Sequence, residues 1–107
     1  MKWQTSYGIA IPITLMETTH LHYTIRLVWN TFMSEALQLG NMRSAHFNNP
    51  DIYSPEYMTS VISAMYKELL EARADELTDW MQEELSHMQM NHLLAAITTY
   101  WQEHLED

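Results

Sequence analysis

Residues 55–106 read PEYMTSVISAMYKELLEARADELTDWMQEELSHMQMNHLLAAITTYWQEHLE, and the phase of their apolar positions decides the fold. Apolar side chains recur at Met58, Ile62, Met65 and Leu69, shift onto Leu70, Ala74, Leu77, Met81, Leu85 and Met88, and resume with Leu93 or Leu94, Ile97, Trp101 and Leu105. Steps of three and four mark a helix that buries one stripe. Ser54-Pro55-Glu56 supplies its start, with Ser as N-cap and Pro at the first helical position. The slip at Ala72–Asp75 predicts a bend, or two helices meeting with Asp75 as a cap. Unbroken, some 50 residues of helix would run about 75 Å, too long for the core of so small a protein to cover. The stripe therefore predicts a long or bent helical segment over 55–106 and a homo-oligomer interface at Leu77, Met81, Leu85 and Met88.

Upstream, Lys2–Thr5 and Ile9–Ile13 read as two short strands around Tyr7-Gly8, with Pro12 marking an edge, so residues 1–16 form a hairpin that must lean on helices. Thr18 or Thr19 caps a helix over 18–39, whose stripe is Leu21, Ile25, Val28, Phe32, Ala36 and Leu39. Gly40 with Asn41 supplies the stop. Residues 40–54, with Asn48-Asn49-Pro50-Asp51, read as a loop. The expected fold is a single mainly α domain over 1–107, with three to four helices, a small N-terminal β-hairpin and a long C-terminal amphipathic helix. A chain with 47% hydrophobic residues, four Trp and six Tyr can bury enough surface to offset its chain entropy.

Charge is distributed unevenly. Lys2, Arg26 and Arg43 balance Glu17, Glu35 and Asp51, so the net charge of -9 sits wholly in residues 54–107. On a helix the acids from Glu68 to Glu84 make five like-charge neighbours against two attractive ones, a surplus costing on the order of 1 kcal/mol. That is small enough for a merely solvated face. It is equally the field that attracts a basic partner, and Asp75, Glu76, Asp79, Glu83 and Glu84 are the residues expected to contact it. Direct nucleic-acid binding is disfavoured with five Lys and Arg in all, and neither a leader nor a membrane span is expected.

The other constellations offer less. Glu68, Glu71, Glu76 and Asp79 resemble the paired acidic motifs of all-helical nucleotide pyrophosphohydrolases, which implies an alternative Mg²⁺ site and a small nucleotide-binding or hydrolysing protein. On one unbroken helix Glu68 and Asp79 would lie about 16 Å apart along the axis, too far to share an ion. His20/His22 and His87/His92 lack helical i, i+3 or i, i+4 spacing, and Glu83 or Glu84 with His87 makes a single Glu-x-x-His. No metal and no cofactor is expected. Without Cys or a nucleophile elbow, no catalytic residue is assigned.

The run Trp3-x-Thr5-x-x-Gly8-x-x-Ile11-Pro12-Ile13-x-x-Met16-x-x-x-His20-Leu21-x-x-Thr24-Ile25 resembles the opening of small accessory proteins of tailed bacteriophages. The resemblance implies a viral origin and a host-cytoplasm setting and carries over no catalytic residue. Together with the acidic face it leads us to expect a non-enzymatic accessory protein that binds and modulates a host protein. A structural module of a phage particle is a further alternative.

Overall fold

A computed structural model describes residues 1–5, 8–40 and 52–105, with backbone alone at 101, 104 and 105. It is mainly helical with a small N-terminal hairpin. Strands β1 (Lys2–Gln4) and β2 (Ala10–Pro12) pair antiparallel, with Trp3 opposite Ile11. Gly8 turns the chain at φ +81°, a conformation that side chains with a Cβ rarely adopt. Trp3 inserts into the core, and two tyrosines fasten the strand above it. The Tyr57 hydroxyl accepts from the Gln4 N–H and donates to the Lys2 carbonyl, both at 2.8 Å, while the Tyr53 hydroxyl donates to the Gln4 carbonyl at 2.9 Å. A hairpin too small to hold itself is thus held by side chains at the start of the helix beneath it.

Helices α1 (Thr18–Phe32), α2 (Pro55–Lys67) and α4 (Met90–Leu105) pack against one another, and α3 (Asp79–His87) lies beside them. The core joins Leu21, Ile25 and Val28 of α1 to Met58, Ile62 and Met65 of α2, and to Leu93 and Ile97 of α4. Ser54 caps α2 as expected, accepting from the Tyr57 N–H at 3.1 Å. At the start of α1, by contrast, neither Thr18 nor Thr19 caps. Glu17 holds the N-cap position, and the Thr18 hydroxyl donates to Glu76 at 2.7 Å.

Helix α1 ends at Phe32 instead of running to residue 39. Asn30 explains the early stop. Its side-chain amide bonds both backbone groups of Leu39, each at 2.8 Å, and the Trp29 indole donates to the Leu37 carbonyl. These bonds fold residues 34–40 back along the helix, with a 3₁₀ turn at Glu35–Leu37. Of the loop expected over 40–54, residues 41–51, with Asn48-Asn49-Pro50-Asp51, lie outside the described residues.

Residues 55–105 form three α-helices and not one. After α2 comes a π turn, Glu68–Ala72, closed by an Arg73 N–H to Glu68 carbonyl bond, and then a 3₁₀ turn, Ala74–Glu76. The break falls where the stripe slips, but Thr78 and not Asp75 occupies the N-cap of α3. A second break at Met88–Gln89 separates α3 from α4. Because the chain doubles back, the stripe is covered from within. Met81, Leu85 and Met88 are 2, 3 and 4% exposed in the single chain, so they do not form an oligomer face; of that set only Leu77 keeps part of its surface open. No helix among the described residues is long and apolar enough to cross a membrane.

Candidate functional site

Helix α3 is where polar chemistry gathers, and the break before it decides how. Glu84, one turn beyond Trp80, points to α1 and lies 2.7 Å from His22 Nε2 and 3.1 and 3.2 Å from Arg26 Nη1 through its two oxygens. An ionised carboxylate only accepts, so Nε2 carries the proton in this pair. His22 is fully buried, and among the described residues its Nδ1 has no partner. Above this ion pair stands an aromatic group. The Trp80 ring meets His22 edge-on at 5.0 Å between centroids, Tyr23 lies 5.8 Å from Trp80, and the Arg26 guanidinium sits 4.7 Å over the Tyr23 ring. His22 and Arg26 are four apart on α1, as Trp80 and Glu84 are on α3, so two helix faces meet as a cluster.

Gly40 closes the cluster from the side. The bonds from Asn30 to Leu39 bring it against Arg26, and a Cβ added at Gly40 would lie 2.5 Å from Arg26 Nη1. Its φ of +66° is one that glycine adopts freely. The glycine read as a helix stop therefore seats a guanidinium.

The acids assigned to partner binding divide into two classes. Glu84 is occupied within the chain and offers little to a partner. Asp75, Asp79 and Glu83 are exposed, and no cation of the described residues lies within 4 Å of their carboxylates; Glu76 is exposed too and accepts from Thr18. Among these acids stand Tyr23 and Trp80, 46 and 41% exposed. The alternative Mg²⁺ set does not assemble. Glu68 is drawn to Arg73 at 3.2 Å, Glu76 is bonded to Thr18, and among the described residues no three His, Asp or Glu side chains converge closely enough to hold an ion.

Comparison with family models, curated proteins and solved structures finds no match. The site must therefore be read from its own chemistry. Arg73 is the second cation that the fold uses up. It donates to the carbonyls of Ile13, Thr14 and Met16 and to the Thr18 hydroxyl, tying the end of the hairpin to the π turn. With Arg26 and Arg73 both turned inward, the surface around α3 keeps its negative field.

His22, Tyr23 and Trp80 were missed as site residues in the sequence, although for His22 a signal existed. His22 stands three before Ile25 and seven before Trp29, in phase with the buried face of α1, and polar residues in such a phase seek polar partners. Which acid would meet it was not legible, because that depends on the turn between α2 and α3.

Proposed function

We propose that this chain is a non-enzymatic accessory protein of a tailed bacteriophage that works in the host cytoplasm, binding and modulating a host protein through the acidic surface of α3. The observation that carries the reading is the pairing of unneutralised acids with exposed aromatics. Acids alone serve solubility, whereas two large rings left open among Asp79, Glu83 and Glu76 have the composition of a binding surface, with an aromatic centre and a charged rim. The partner's face is basic, since a surface of this sign raises the encounter rate of cations and repels nucleic acid and anionic lipid. The bacteriophage origin rests on the N-terminal run, whose Trp3, Met16, Leu21 and Ile25 are buried and whose Gly8 has positive φ, so the run describes how a hairpin docks on α1.

The test is affinity capture from host lysate at low and high salt, comparing the native chain with the double charge reversal Glu76→Lys and Glu83→Lys. A specific partner should be retained by the native chain, weakened several-fold by the reversal and by salt. A partner held equally by both chains at all salt concentrations would rule out the acidic surface.

A further inference from the structure

The chain already shows how this surface holds a guanidinium. Arg26 lies over the face of Tyr23 and is bonded by both oxygens of Glu84, so one aromatic ring and one carboxylate, brought together by two helices, fix a planar cation. A ring and a carboxylate, here both on α3, stand one step outward, and no cation of the described residues lies within 4 Å of that carboxylate. Trp80 is 41% exposed, and Glu83, three residues on and therefore on the same side of α3, is exposed with no cation of the described residues within 4 Å. Asp79 adds a further carboxylate in the first turn. Trp80 packs against His22 with the two rings 86° apart, which settles its orientation before any partner arrives.

We propose that Trp80 and Glu83 form a receptor for an arginine side chain of the partner protein, stacked on the indole and bonded to the carboxylate. The inference rests on the docking surface proposed above and names the group that it recognises. Arginine fits better than lysine: its guanidinium is planar, more weakly hydrated than an ammonium, and able to stack and to donate two parallel bonds at once. A second copy of this chain is a poor occupant, since it offers five Lys and Arg against fourteen acids, and two of its arginines are held internally.

Oligoarginine and oligolysine peptides of equal length and charge are suitable probes, titrated into the full isotopically labelled chain while the Trp80 indole N–H resonance is followed. The arginine peptide should bind about three- to tenfold more tightly and move that resonance more. Trp80→Leu and Glu83→Gln should each bring the two peptides close to equal affinity, whereas Glu56→Gln, a neutralisation on the first turn of α2, should preserve the preference. Glu83 is exposed, so its variant keeps the fold and decides the matter if Trp80→Leu unfolds. Equal affinities in the native chain, or a preference that survives Glu83→Gln, would overturn the arginine receptor. In that case salt-sensitive binding of both peptides, lost in the Glu76→Lys, Glu83→Lys chain, leaves the docking surface standing. Failure of both peptides to bind at low salt would overturn both.

Discussion

Glu84 and Glu83 are adjacent acids with opposite duties. Glu84 satisfies a buried imidazole and a guanidinium, so Glu84→Ala strands two donors and should cost about 2–3 kcal/mol in urea unfolding. Glu83→Ala removes a repelled surface charge and should stay within about 0.5 kcal/mol of the native chain. Equal effects would mean that the His22–Glu84–Arg26 cluster contributes nothing to stability. Gly40→Ala combines an unfavourable φ with a crowded Arg26 and should cost about 1–2 kcal/mol. A purely local effect at Gly40 would leave the Arg26 resonances unmoved; their displacement is expected. The hairpin tyrosines give a pH signature. Burial pushes the Tyr53 hydroxyl above its ordinary 10.0, and burial does the same for Tyr57 although its bond from the Gln4 N–H opposes the change. The folded chain then holds these protons more tightly than the unfolded one, so their contribution is complete below the unfolded value and is lost as pH rises past it through the folded values. Urea midpoints should fall above pH 10, about the unfolded tyrosine value, and Tyr53→Phe should make that fall shallower.

At the level of elements, most stripe positions were legible, but Ala36, Leu70 and Ala74 are exposed because the regular helix that the stripe assumed has ended before or at them. Met58, Ile62, Met65, Leu69, Met81, Leu85, Met88 and Ile97 are all buried, and so are Leu21, Ile25 and Val28. Helix ends were less so. The stop of α1 is written in Asn30, whose amide mimics a strand edge for Leu39, and such a contact has no local pattern to announce it. The break at Met88–Gln89 did have one, the five-residue step from Met88 to Leu93, which no single helix face accommodates. The oligomer face was misread because a period identifies a buried stripe without saying whether another molecule or the same chain buries it. Arg73 is the joint on which the turn geometry depends. A lysine cannot span the carbonyls of Ile13, Thr14 and Met16 while also reaching Glu68, so Arg73→Lys should cost about 2–3 kcal/mol and speed hydrogen exchange in the Ile13–Leu15 turn and the Glu68–Ala72 segment together. Faster exchange in only one of them would show that they are not coupled.

For the molecule as a whole, a core closed by one chain means that thermal midpoints should not move with protein concentration. A midpoint climbing with concentration would bring second copies back into the account, through the half-open Leu77 and not through Met81, Leu85 or Met88. The charge balance predicts a separate response. At a net charge of -9 with both core arginines already paired, added salt screens mostly repulsion and should raise the midpoint. The π turn carries a last consequence. It ends α2 in one wide turn, in which Leu70 is 41% exposed while Leu69 stays buried. Loss of a single codon there would turn the end of that segment by about 100° about the α2 axis, a full residue step of a helix, and carry Arg73 away from the carbonyls of Ile13, Thr14 and Met16. The joint that seats α3 would then be lost with every core side chain of α2 left in place, so the presentation of the acidic face is open to change by the smallest in-frame deletion that a genome can make.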